Sequence, residues 1–236
     1  MTPIPVCVDL SFPIVQGLFV PIEHGHQLYG ALKQAVPQLA EVQPLGIHPL
    51  RGTPMEGGLL HLRHHGRLRL RLPADRIATA LPLAGKELRI GSMLIRLGAP
   101  SIEVFEPHAE LYARTVIVAK TVPKAERGAD ARGNRHATEP EVIAAVQARC
   151  NPGATVRVIG SRTITLHGKG PGKKHLWFPG FEVVIEGLDT EHSLKIQAAG
   201  IGGRRALGCG IFVKAGVRKV AEKGATATTG QGIKDA

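Results

Sequence analysis

The sequence predicts an α+β protein made of two consecutive strand-helix-strand-strand-helix-strand units. Three observations carry this: an apolar helical stripe directly after an alternating strand, a leucine-arginine alternation followed by a short helix, and the return of the same order in the second half. Val6, Val8, Leu10 and Phe12 alternate with Cys7, Asp9 and Ser11 as in a half-buried strand, which Pro13 is expected to end. Leu28, Ala31, Leu32, Ala35, Val36 and Leu39 then follow at helical spacing, predicting a helix from about His24 to Val36 that Pro37 stops. Gly46–Arg51 and Leu59–Arg63 read as short strands. In Arg67–Leu72 the leucines share one face, and Arg67, Arg69 and Arg71 form a ladder expected to face solvent. A short helix over Asp75–Leu83 and a strand over Glu87–Leu97 complete the first unit.

In the second unit, Leu111–Lys120 reads as a strand buried on both faces, with Val116, Ile117 and Val118 consecutive. A charged loop, Pro123–Arg135, leads to a helix over Glu139–Cys150 that begins near Thr138. Thr155–Leu166 and Leu176–Glu186 are long strands around a Gly- and Lys-rich tip, His167–His175. Thr190–Ala199 is a short helix stopped by Gly200, and Cys209–Val213 is the last strand. The order βαββαβ is ferredoxin-like, as in RRM domains, so the expectation is tandem ferredoxin-like domains at 1–100 and 101–213. Residues 214–236, basic and poor in large apolar groups, are expected to be a disordered tail.

Composition narrows the partner. Lys and Arg number 30 against 19 Asp and Glu, a formal charge of +11, and such self-repulsion points to a polyanion. No apolar run of about 18 residues argues for a membrane helix, and the first ten residues lack the pattern of a signal peptide, so a cytoplasmic location is expected. Cys7, Cys150 and Cys209 are far apart and odd in number, which supports neither a disulfide framework nor a zinc knuckle. Aromatic residues are only 4% of the chain, so if the polyanion is a nucleic acid, charge and backbone contacts outweigh base stacking in gripping it.

The sharpest local feature is Gly200-Ile-Gly-Gly-Arg-Arg-Ala-Leu-Gly-Cys-Gly210, with five glycines and two adjacent arginines. It has neither the Gly-Lys-Ser/Thr ending of a phosphate-binding P-loop nor the spacing of a dinucleotide loop. A helix stop and a tight return explain some of its glycines. The whole set suggests that the backbone N–H groups of Gly202 and Gly203 approach phosphates, with Arg204 and Arg205 forking onto phosphate or a guanine edge.

This segment, continued by Ile211 and Phe212, resembles the C-terminal glycine-rich signature of the RAMP superfamily of CRISPR proteins, specifically its precursor-crRNA-processing endoribonucleases. Val8-Asp-Leu-Ser-Phe-Pro13, His24-Gly-His-Gln-Leu-Tyr-Gly-Ala-Leu32 and Gly46-Ile-His-Pro-Leu-Arg-Gly52 extend the resemblance to the MYXAN-type branch, over about residues 6–213. The resemblance implies tandem ferredoxin-like domains, CRISPR repeat RNA as substrate, no cofactor, and metal-independent cleavage. In that chemistry a 2′-hydroxyl attacks the adjacent phosphodiester to leave a 2′,3′-cyclic phosphate, with protein groups as general base and general acid.

Histidine suits both proton-transfer roles near neutral pH. His24, opening the first helix where the dipole favours neutral imidazole, is the first catalytic candidate. His48 on the next strand is the second, with Arg51 placed to neutralise a phosphate. His26 and Tyr29 share another helix face and are candidates to orient the substrate or the acid, although Tyr29 also suits an ordinary half-buried aromatic. His61, His64 and His65 lack the carboxylate or thiolate neighbours a metal site usually needs, and a hairpin turn explains them. Arg157, Arg162, Lys169, Lys173, Lys174 and His175 would place a basic hairpin along an RNA stem, unless its lysines merely keep a loop solvated. Trp177 could stack on an unpaired base, although a lone Trp on a strand is more often core. Two other classes remain open at this level: a non-catalytic RAMP-type crRNA-binding subunit of an effector complex, and a ribosomal-type structural RNA binder.

Overall fold

The computed structural model of the chain describes residues 6–62, 66–121, 134–166 and 176–216. His64, His65, Lys169, Lys173, Lys174, His175, most of the loop expected at Pro123–Arg135 and residues 217–236 of the tail lie outside them.

In the first unit the chain runs β1 (Cys7–Gln16), β2 (Phe19–Pro21), α1 (Gly25–Ala35), β3 (Gly46–Ile47), β4 (Gly52–Met55), β5 (Leu59–Leu62) and β6 (Arg67–Pro73). A helical stretch centred on α2 (Ile77–Ala80) follows, then the hairpin β7 (Glu87–Ile90) and β8 (Met93–Leu97), and β9 (Ser101–Val104). Strands β9, β1, β6 and β3 lie side by side in that order. This is the fourth-first-third-second arrangement of a ferredoxin-like sheet. Leu10, Phe12, Leu28, Leu32, Leu68 and Leu70 form its core, each contributing about 1.5–3 kcal/mol by leaving water.

Two expectations change here. The fourth strand is β9, not Glu87–Leu97, which folds instead into a hairpin turning at Gly91 and paired to the end of β1. The first sheet therefore runs past residue 100. Pro13 does not end β1 either. The Ile14 N–H donates to Gly66 O on the β6 side, so the position of Pro13's missing N–H faces the opposite edge. On that edge pairing with β9 stops at Ser11 and pairing with β8 starts at Ile14, so no ladder bond is lost. Strands β2, β5 and β4 form a small separate sheet.

The second unit comprises β10 (Leu111–Val116), the small hairpin β11 (Ala119–Thr121) and β12 (Asn134–His136), α3 (Glu139–Gln147), β13 (Thr155–Leu166), β14 (Leu176–Glu186), α4 (Thr190–Ala199) and β15 (Val213–Lys214). Its sheet order, β13-β14-β10-β15, is again ferredoxin-like. Helix α3 starts where Glu141 accepts hydrogen bonds from the Thr138 N–H and hydroxyl. Asp189 caps α4 by accepting from the His192 N–H. The last strand is Val213–Lys214 rather than Cys209–Val213, and Leu111–Lys120 is split between β10 and β11. Among the described residues no helix is long and apolar enough to cross a membrane.

The arginine ladder is not uniformly outward. Arg67 is exposed, but Arg71 is 5% exposed because the second unit covers that end of the sheet. Its guanidinium grips Asp9 with two bonds, Nε to Oδ1 at 2.8 Å and Nη2 to Oδ2 at 2.9 Å. Its Nη1 donates at 2.7 Å to each of two carbonyls of the second unit, Gln197 O and Phe212 O. Burial alone would raise the Asp9 pKa, but the Arg71 bonds and the nearby His48 ring hold the carboxyl far below the usual range.

Candidate active site in the cleft between the units

The start of α1, the β3–β4 connection, β10, the upper part of β13 and the glycine-rich segment surround an open cleft of about 850 Å³. His24, His26, His48, Arg114, Arg162 and Gly208 are on its walls. Both units contribute.

His24 precedes the first residue of α1 and is 4% exposed. Its Nδ1 lies 2.9 Å from Pro21 O, and its Nε2 accepts the Leu50 N–H at 2.9 Å. Only a neutral ring protonated at Nδ1 satisfies both. Burial also lowers its pKa, and the nearby Arg114 adds to that. His24 thus ties the helix start to two backbone segments, and it can take up a proton only by giving up the Leu50 bond.

His48 is nearly as buried, with Nε2 3.1 Å from Asp9 Oδ2 but off the line of a hydrogen bond. Burial lowers its pKa, Asp9 opposes that shift, and Arg71 and Arg69 reinforce it. His26, one turn-step inside α1, is half-buried on the cleft wall and makes no hydrogen bond among the described residues. Tyr29 packs against the first core with the Lys33 ammonium 4.8 Å from its ring centre, and it does not line the cleft.

The cleft is electropositive. Arg114, on β10, has its pKa lowered first by withdrawal from water and then by repulsion from Arg162, with a smaller contribution from Arg51. Arg162 and Arg51 thus each stand close enough to repel Arg114, partly offset by Tyr112 and Glu182, and an anion would relieve that repulsion. Arg114 was not among the expected residues. The alternation of buried Leu111, Ala113 and Thr115 with Tyr112 and Arg114 was the available signal, hidden by the apolar run that follows. Arg157 stands elsewhere: five residues along β13 from Arg162, about 16 Å, it is ion-paired with Glu186 at 2.5 Å on the surface. Trp177 is 67% exposed, not core.

The glycine-rich segment differs most from expectation. The Gly203 N–H donates to Ile117 O at 3.0 Å and the Gly210 N–H to Thr115 O at 2.7 Å, so these donors serve the fold and not phosphates. Gly202, with φ 89°, has room for no side chain, since a Cβ would lie 2.5 Å from Ile117 O. Gly208 packs on Pro49, and Leu207 O presses on Gly25 at the start of α1. The segment is thus the joint that brings the second unit against the histidine-bearing elements of the first. Arg205 turns inward to donate to Ala199 O, whereas Arg204 is exposed with its Cζ 3.5 Å from the centre of the Phe178 ring. Among the described residues no group of three or more His, Cys, Asp or Glu is arranged to hold a metal ion.

Comparison with known proteins gives this geometry a context. A family model described as "Cas6 Crispr" matches residues 8–216. The CRISPR-associated endonuclease Cas6 of Myxococcus xanthus strain DK1622 is 36% identical over 215 residues, covering 89% of this chain and 83% of that protein. A solved structure of a CRISPR associated protein Cas6 is similar with a TM-score of 0.65 at 11% identity, over 89% of this chain and 100% of its own. The CRISPR endoribonuclease Cse3 bound to 19 nt RNA has a TM-score of 0.51 at 16% identity, over 88% and 98%. The two structures share the tandem ferredoxin-like fold with this chain, and the family match together with the Myxococcus relative shows that the chain belongs to the Cas6 family of CRISPR-associated proteins.

Proposed function

We propose that the protein is an endoribonuclease that binds CRISPR repeat RNA and cuts precursor crRNA into guides within this cleft, without a metal ion. The observation that carries the proposal is the presence of Arg114 and Arg162, with Arg51 near Arg114, at a cleft whose wall holds His26, which makes no hydrogen bond among the described residues. The arginines would hold the scissile phosphate and stabilise the extra negative charge of the transition state, the task a metal ion performs elsewhere. His26 would exchange the proton with the attacking 2′-hydroxyl or the departing 5′-oxygen, and His48, steadied by Asp9, would serve the opposite step. The 2′-oxygen bonds to phosphorus as the bond to the 5′-oxygen breaks, giving a 2′,3′-cyclic phosphate and a 5′-hydroxyl. His24, with both nitrogens engaged, would set the start of α1 so that His26 faces the cleft. Such a protein would act in the cytoplasm, where its transcript is made, and keep its product for an effector complex.

A non-catalytic crRNA-binding subunit is the second reading, favoured by the burial of His24 and His48. Incubation with cognate repeat RNA in EDTA separates the two. Cleavage with a 2′,3′-cyclic phosphate end is the expected result, and RNA that stays intact while bound would favour the subunit. His26→Ala should slow cleavage by about 10²–10⁴-fold with RNA affinity retained. If it cuts normally while His48→Ala or a folded His24→Ala does not, the proton-transfer role belongs to that residue.

A further inference from the structure

Arg204 has φ 61° and ψ 35°, and among the described residues every other residue with positive φ is a glycine. A side chain with a Cβ occupies this left-handed region at a cost, and glycine occupies it freely. The backbone at this position works through its carbonyl, which accepts the Leu207 N–H at 2.8 Å and the Cys209 N–H at 3.3 Å. Glycine would do that equally well, in a segment that already has five of them. The arginine is therefore kept for its side chain, strain that marks functional positions.

That side chain makes no hydrogen bond or ion pair among the described residues. Its Cζ stands 3.5 Å from the Phe178 ring centre, a stacking distance, and the residue is exposed. Phe178 lies opposite Ile164, and Gly180 opposite Arg162, in the β13–β14 ladder. Opposite residues share a face, and Ile164 and Arg162 both line the cleft. The Arg204–Phe178 stack is thus on the cleft rim, two residues, about 7 Å, along the hairpin from Arg162.

A guanidinium plane backed by an aromatic ring offers its outer face to another flat, π-rich group. In an RNA that group is an unpaired base. We propose that Arg204, supported by Phe178, is the stacking seat for one unpaired base next to the bond to be cut. This rests on the endoribonuclease reading above and adds a contact to a base where the cleft arginines contact phosphate. It also explains why the position tolerates strain: the seat must reach outward from a loop whose neighbours are locked into the joint between the units.

The experiment compares wild type, Arg204→Gly and Arg204→Lys on cognate repeat RNA and on a set of the same RNA with single abasic substitutions. Glycine removes the strain, so Arg204→Gly should melt no lower than wild type while binding RNA about tenfold more weakly, the effect of losing one stacked base. Lysine keeps the charge without the plane and should behave like glycine in binding. One abasic position should cost wild type the same factor and cost Arg204→Gly nothing further. Arg204→Lys binding as wild type would overturn the proposal in favour of a phosphate contact. Losses that multiply at every abasic position would overturn it as well. Wild type that binds no repeat RNA would overturn the endoribonuclease reading and the seat together, whereas the two preceding outcomes leave that reading standing.

Discussion

Replacing Arg71 by Met keeps most of the side-chain stem and deletes the guanidinium that ties the two units together. Asp9, 4% exposed, then loses both of its charge-assisted bonds. Leaving one partner of a buried ion pair alone costs about 3–5 kcal/mol. Gln197 O and Phe212 O each lose a donor, about 1–3 kcal/mol apiece, partly recovered if water enters. A total on the order of 5 kcal/mol is a large share of the 5–15 kcal/mol that holds a typical domain. The pH dependence identifies the cause. In wild type the Asp9 pKa is depressed, so its contribution persists above the unfolded value of about 3.9 and is lost only as pH falls below it. In Arg71→Met burial is opposed only by the nearby His48 and raises the Asp9 pKa relative to wild type. The neutral acid is then tolerated, and the deficit should shrink as pH is lowered from 8 towards 5. Urea unfolding of both proteins across that range measures the difference, in which the His24 contribution cancels. Asp9→Asn combined with Arg71→Met should recover part of the loss at pH 8. A deficit below about 1 kcal/mol, or one independent of pH, would refute the assignment of Asp9 and Arg71 as the strut between the units.

Wild type itself should lose stability as pH falls from 7 to 5. Burial depresses the folded pKa of His24 and His48 below the unfolded value of about 6.5, so protons bind the unfolded chain first; His24→Gln should flatten part of that slope in urea midpoints. Gly210→Ala places a Cβ 2.3 Å from Ile201 O at positive φ and should cost at least about 2 kcal/mol, whereas Gly203→Ala meets nothing within 4 Å and should melt like wild type. In filter-binding titrations against salt, Arg51→Ala, Arg114→Ala and Arg162→Ala should each lower the log–log slope by about 0.7–0.9. Arg157→Ala, whose side chain is already neutralised by Glu186, should change the slope less.

The long elements of the second unit were legible because period and length agree. Thr155–Leu166, Leu176–Glu186 and Thr190–Ala199 have the bounds that alternation, the Gly-rich tip and Gly200 indicated. The fourth strand of the first unit was not, since Ser101–Val104 is short, mostly exposed and flanked by prolines. Its pairing comes from β1, which no local pattern reveals. Arg71 shows a related limit: a period of two says which residues share a face, but not that a second domain will cover one end of it. The candidate histidines did converge on one cleft, yet hydrogen bonding to Pro21 and Leu50, invisible in the sequence, separates His24 from His26. The glycine-rich segment was correctly singled out as unusual, while its purpose depended on φ values and on the carbonyls it meets.

Those carbonyls have a consequence for sequence drift. Arg71 grips the main chain at Gln197 and Phe212, and the glycines of the joint rest on the main chain at Thr115, Ile117 and Ile201. A contact made to a peptide oxygen is indifferent to the side chain that follows it. Most residues opposite the joint are thus free to change without loosening it, and only the few that do the gripping are constrained. Two domains fastened in this way can exchange nearly all their surface to follow a changing RNA and still present the same cleft.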